Sequence, residues 1–197
     1  MEIITKKSPI FIVTSDWHLR ESQPSCRKDN FWDAQWKKVQ QIAKLQEHYN
    51  CKVIHAGDLF HNWKASPYLL SYAIRYLPKN FYTIYGNHDL PQHSLDLKEK
   101  SAIQVLLESK KIELINTGAV HWGQEITKEY KTLVIHKMIW NKEKPFWAKN
   151  DFSSKEILER YKNVKLFICG HNHERFVEIK NEQILINSGC ITRQSIS

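Results

Sequence analysis

The chain has 197 residues, 42% hydrophobic and 12% aromatic, with only 6 Gly and 6 Pro; this excludes disordered, collagen-like and low-complexity classes and is long enough to bury a core. Lys plus Arg number 29 against 21 Asp plus Glu, and the resulting net charge of +8 favours anionic partners. No apolar run reaches the ~18 residues a membrane span needs, and the polar opening carries no signal-peptide pattern, so a soluble, cytoplasmic chain is expected, with no membrane partner.

Residues 10–14 form a short apolar run ending at Ser15-Asp16, the pattern of a buried strand that delivers polar groups at its carboxyl end. A polar loop follows over 19–30. Apolar positions Phe31, Ala34, Val39, Ile42, Ala43 and Leu45 then recur at helical spacing, predicting a helix over 31–49 with Asp29 or Asn30 as N-cap. A strand is predicted over 52–56, ending in Gly57-Asp58, and Pro67 can open a helix over 68–77. Residues 81–85 read as a strand that stops at Gly86-Asn87-His88-Asp89.

A helix is predicted over 97–108, followed by short strands at 112–115, 119–122 and 132–136. Another helix over 154–161 precedes the apolar run 164–169, and 176–179 with 183–187 read as a hairpin around Lys180-Asn181. Alternating strands and helices followed by clustered strands predict an α/β fold, a two-sheet β-sandwich flanked by α-helices. No linker divides it, so residues 1–197 are expected to form one domain. The cysteines Cys26, Cys51, Cys169 and Cys190 lie far apart without a CxxC pair, which predicts reduced thiols, with Cys51 and Cys169 buried as small apolar residues.

The polar clusters fall in a telling place. Asp16-Trp17-His18, Gly57-Asp58, Gly86-Asn87-His88-Asp89, His136 and Gly170-His171-Asn172-His173 each end or follow an apolar run. Strand ends of this kind gather ligands, and Asp, His and Asn are the donors of a mixed oxygen and nitrogen site for Mn²⁺, Fe²⁺ or Zn²⁺. If the local chain is extended, residues two apart share a face, so Asp16 and His18 would grip one ion together, as would His171 and His173, while Trp17 would face away. His55, inside a strand, reads as a core histidine, and Trp32 and Trp36 as packing residues.

This series of motifs resembles the calcineurin-like metallophosphoesterases over nearly the whole chain. The resemblance implies a two-sheet sandwich with helices on both faces and two divalent metal ions, most readily Mn²⁺. It assigns Asp16, His18, Asp58 and His173 to one ion and Asp58, Asn87, His136 and His171 to the other, with Asp58 shared. Such a pair lowers the pKa of water and neutralises a phosphodiester in its transition state. His88 is then the residue expected to stabilise the transition state or protonate the leaving oxygen.

Within that family, Gly57-Asp58-Leu59-Phe60-His61 followed by Ser66-Pro67 resembles the SbcD-like exonucleases of DNA repair, and His61 is expected beside His88 to help position the substrate. The segment 187–193 resembles the turn after the last motif of those nucleases, with Ser188 and Gly189 in reverse order. SbcD-like nucleases usually continue into a capping domain and a segment that docks on an SbcC-like ATPase, and this chain is expected to lack both. DNA handling would then fall to local loops. Lys137, Lys142, Lys144 and Lys149 interleave with Trp140, Phe146 and Trp147, so the lysines could neutralise phosphates while the aromatics stack on bases, and Arg20, Arg27 and Lys28 could join the same groove. The expected function is a Mn²⁺-dependent DNA nuclease. The alternatives are a phosphodiesterase of cyclic nucleotides or nucleotide pyrophosphates, and a non-catalytic metal-binding partner subunit, against which the complete ligand set argues.

Overall fold

The computed structural model describes residues 9–145, 148 and 151–192. The first half alternates strand and helix: β1 (Phe11–Thr14), α1 (Phe31–Tyr49), β2 (Lys52–His55), α2 (Pro67–Tyr76), β3 (Phe81–Thr83), α3 (Ala102–Glu108) and β4 (Glu113–Leu114). These four strands form a parallel sheet in the order β1-β2-β3-β4. The second half supplies β5 (Ala119–Val120), β6 (Thr132–His136), β7 (Ile139–Trp140), β8 (Phe152–Ser153), α4 (Ser154–Arg160), β9 (Leu166–Gly170), β10 (Phe176–Lys180) and β11 (Gln183–Asn187). Its sheet runs β10-β11-β9-β6-β5, with only the β10–β11 hairpin antiparallel.

The two-residue period of the strands explains the layering. On β2, Val53 faces a core that includes Trp36 and Val39 of α1, Ala73 of α2 and Ile103 of α3. On β6, Leu133 and Ile135 face Ile157 and Leu158 of α4. The intervening side chains, Val134 on β6 and Ile168 on β9, meet Val13, Ile54 and Ile84 between the two sheets. The result is the expected α/β fold, two facing sheets with helices on the outside. Cys51 and Cys169 are buried and unpaired, as expected. Among the described residues no helix is long and apolar enough to cross a membrane.

Local chemistry moves several boundaries. Asn30, not Asp29, caps α1, its side chain accepting from Asp33 N. The expected continuous helix over 97–108 is instead a 3-10 turn, Leu95–Lys100, followed by α3, because Ser101 is extended (ψ 157°) and its hydroxyl caps the Gln104 amide. The hairpin turn centres on Asn181-Glu182, where Asn181 takes the left-handed conformation that Asn tolerates (φ +53°). The small parallel pair β7–β8 was not anticipated; two residues per strand are too few for periodicity to register.

Helix α4 begins with a reciprocal capping box: Glu156 N donates to Ser153 Oγ at 3.2 Å and Ser153 N donates to Glu156 Oε2 at 2.7 Å. Ser153→Ala should therefore cost about 1 kcal/mol and lower Tm by roughly 2–4 °C, read by thermal denaturation. An unchanged Tm would show that packing of Ile157 and Leu158 alone fixes the start of this helix.

Candidate metal centre

The ends of β1, β2 and β3 from one sheet and of β6 and β9 from the other meet at one edge of the sandwich. The loops after β1 and β2 run side by side, stitched by Asp16 N to Gly57 O (3.0 Å), His18 N to Asp58 O (3.1 Å) and Leu19 N to Leu59 O (2.9 Å). Glycine is needed where the loops touch. A Cβ on Gly86 would run into the Asp58 carboxylate, and one on Gly170 into the Ala56 carbonyl of the opposite sheet.

Asp58 lies at the middle of the cluster and is 1% exposed. Its Oδ1 accepts from His88 N at 2.8 Å, while Oδ2 is 3.7 Å from His18 Nε2 and 3.4 Å from His136 Nε2. On one side, Asp16, His18 and His173 bring ligand-type atoms within 4.8 Å of one another, with the His18 and His173 Nε2 atoms 3.0 Å apart. On the other side, Asp58, His136 and His171 do the same. Asn87 Oδ1 completes this second group, 3.1 Å from both His136 Nε2 and His171 Nδ1.

The expectation that Asp16 and His18 act from an extended strand is incorrect. Both are left-handed, with φ of +51° and +46°, as is His171 at +86°. His171 and His173 consequently diverge into different groups instead of sharing one. Trp17 does turn away, edge-on to His55 and Phe81 at 5.3 Å each. His55 is a core histidine, with Nδ1 3.1 Å from the Thr14 hydroxyl.

Electrostatics suit cations. Burial pushes the Asp16 carboxyl up to about 7, and Asp58 adds to the shift. Burial opposes charge on Asp58 too, yet His136 and His18 hold its carboxyl well below the usual range. Burial by itself would depress His136, but Asp58 raises it to about 9. Burial, then His136, lowers His171 to about 3; burial also lowers His18 and His173. Neutral His18, His171 and His173, with His136 holding a proton that a cation would displace, converge on carboxylates as the donor set of a divalent cation. His136 Nδ1 donates to Ala56 O at 2.7 Å, which fixes the tautomer whose Nε2 faces inward.

Around this cluster, His88 Nδ1 donates to His61 O at 2.8 Å and the two rings stack 5.5 Å apart. Burial, then Arg20, lowers His61 to about 4. The expected groove residues stand in different settings. A cleft of about 840 Å³ is lined by Asp58, His88, His171 and His173 together with Trp140 and Lys142. Trp140 is only 7% exposed and clusters with Met138 and Ala148, which leaves little ring for a base. Lys142 lies 3.7 Å from Glu174 and Lys137 3.4 Å from Glu125, while Lys144 stands 5.8 Å from the Trp140 ring centroid. Arg20 is bonded to His61, which groups with His18 and with His88 of the cleft wall. Trp147, with Phe146 and Lys149, lies outside the described residues.

Sequence reasoning passed over Asp89. Its buried carboxylate accepts from Asp58 N (2.8 Å), Gly86 N (3.0 Å) and Phe60 N (3.2 Å), tying the β2 and β3 loops together. The signal was its invisibility as a donor: it follows His88 inside a motif already assigned to other roles. Trp122, which packs on the His171 ring at 4.9 Å, carried no motif at all.

A family model described as the calcineurin-like phosphoesterase superfamily domain matches residues 10–196. Among curated proteins none matches the chain.

Three outcomes follow from this geometry. Asp89→Ala strands three buried amides and should cost about 3 kcal/mol or more, a fall of roughly 6–12 °C in Tm read by circular dichroism; a smaller loss would mean the loops hold without it. A divalent cation at a hundred times its Kd should stabilise the protein by about 2.7 kcal/mol, and Asp58→Ala should abolish the gain. Calorimetric affinity should be tighter at pH 8 than at pH 6: the cation displaces protons that Asp16 holds below about 7 and His136 below about 9, so their loss as pH rises favours binding.

Proposed function

The chain belongs to the calcineurin-like phosphoesterase superfamily, and on that premise we propose that it is a phosphodiester hydrolase using two divalent metal ions, with Mn²⁺ preferred, and that its substrate is DNA. The observation that carries this reading is Asp58, whose single carboxylate stands within 3.7 Å of His18 and 3.4 Å of His136 and so serves both donor groups. Asp16, His18, Asp58 and His173 would hold one ion, and Asp58, Asn87, His136 and His171 the other. Bound there, the cations supply Lewis-acid charge to phosphoryl oxygens and acidify water.

The chain's own residues do the rest. His88 is oriented twice, by its amide on Asp58 and by Nδ1 on the His61 carbonyl, which leaves Nε2 to hold or release a proton toward the leaving oxygen. Asn87 contributes a neutral oxygen, so the positive field of the site is not cancelled. The resemblance of Gly57-Asp58-Leu59-Phe60-His61 to SbcD-like nucleases, the net charge of +8 and the lysine-bearing wall of the cleft support a nucleic-acid substrate. A second reading, a phosphodiesterase of cyclic nucleotides or nucleotide pyrophosphates, is favoured by one observation: Lys137 and Lys142 already face Glu125 and Glu174, which reduces the charge free to meet a polyanion.

With Mn²⁺ and a panel of single-stranded DNA, duplex DNA, cyclic nucleotides and bis(p-nitrophenyl) phosphate, DNA cleavage is expected. Asp58→Ala should abolish it, and His88→Gln should lower kcat by about 10²–10⁴-fold with metal content unchanged. Turnover confined to small diesters would reject the DNA assignment, and metal-loaded protein inert on the whole panel would reject hydrolysis.

A further inference from the structure

Arg20 stands outside both carboxylate-histidine groups, and its placement is tightly determined. Gln35, buried in α1, accepts from Arg20 N at 3.2 Å and donates to Arg20 O at 2.7 Å. The side chain passes over Phe31, with the guanidinium carbon 5.7 Å from the ring centroid, and brings Nη1 to 2.9 Å from His61 Nε2. Arg27 shares the same ring but is paired with Asp29. Among the described residues no carboxylate pairs with Arg20.

A guanidinium can only donate. His61 Nε2 must therefore accept, and the proton of the neutral ring resides on Nδ1. That nitrogen is buried and finds no hydrogen-bond acceptor among the described residues. An N–H left so is costly, and an acceptor on a ligand that reached it would recover that cost. His61 also sits in a group with His18 and His88 whose ligand-type atoms lie within 4.8 Å of one another. A third cation does not suit that group, since the Arg20 charge abuts it and His88 Nδ1 is already committed to a carbonyl. An anionic oxygen suits it well.

We infer that Arg20 is a positioning residue that locks His61 in its Nδ1–H tautomer, so that His61 donates beside His88 to a phosphoryl oxygen of the substrate. The substrate contact rests on the phosphodiesterase reading above; the tautomer does not.

Zn²⁺-loaded protein, which is diamagnetic, can be labelled with ¹⁵N-histidine and its ring nitrogens assigned by long-range ¹H–¹⁵N correlation, with His61→Gln identifying the signals. Wild type and Arg20→Lys should show His61 protonated on Nδ1. Arg20→Met, which keeps the stem over Phe31 but has no donor, should revert to the Nε2–H form. On bis(p-nitrophenyl) phosphate with Mn²⁺, Arg20→Met should lower kcat roughly ten- to hundredfold with KM and metal content near wild type, and Arg20→Lys should recover much of it. An Nε2–H His61 in wild type, or wild-type kcat in Arg20→Met, would overturn the inference; the wild-type spectrum decides even if the variant does not fold. Wild-type protein that shows the expected tautomer but cleaves no diester would support the lock and overturn the hydrolase reading with its substrate contact.

Discussion

A carboxylate buried at the junction of two sheets is the constraint around which this molecule is arranged. Asp58 has almost no contact with solvent, and an unpaired charge there would be prohibitively costly. Every neighbouring choice reduces that cost. The His88 amide and the His136 ring turn hydrogens toward it, the Asp58 amide is itself anchored on Asp89, and Gly86 leaves the room the carboxylate occupies. The centre is thus part of the fold's own electrostatic balance, and the same arrangement that tolerates one buried anion prepares the site for cations.

The sheets contribute unequally. β1, β2 and β3 bring Asp16, His18, Asp58, Asn87 and His88 on loops of tight, often left-handed backbone, whereas β6 and β9 bring His136, His171 and His173 almost directly from strand ends. Asn187 reinforces the latter side, its amide donating to the carbonyls of Asn172 and Glu174 at 2.6 Å each and so holding the loop that carries both histidines. Strained backbone of this kind persists because hydrogen bonds on both flanks over-determine it.

Much of this was legible in the sequence because chemistry and hydrophobicity change at the same places: each polar cluster ends an apolar run, so Asp16, Asp58, Asn87, His136 and His171 announced both strands and site. What stayed hidden depends on backbone dihedrals or on contacts between distant segments. The extended-chain rule paired His171 with His173 because it could not foresee a positive φ at His171. A continuous helical pattern masked the break at Ser101, where a hydroxyl cap outcompetes one more turn. The bond between Arg20 and His61 spans 41 residues and has no local signature. Trp140 shows a setting that sequence could not display: its ring lines the cleft yet packs largely against Met138 and Ala148.

The opposed placement of Asp58 and His136 has a mechanical meaning. One belongs to the first sheet and the other to the second, and the Ala56 carbonyl that orients His136 crosses the same divide. A cation gripped by both would act as a rivet through the sandwich, so that parting the layers would first require its release. Occupancy of the centre would then govern how fast the whole molecule comes apart.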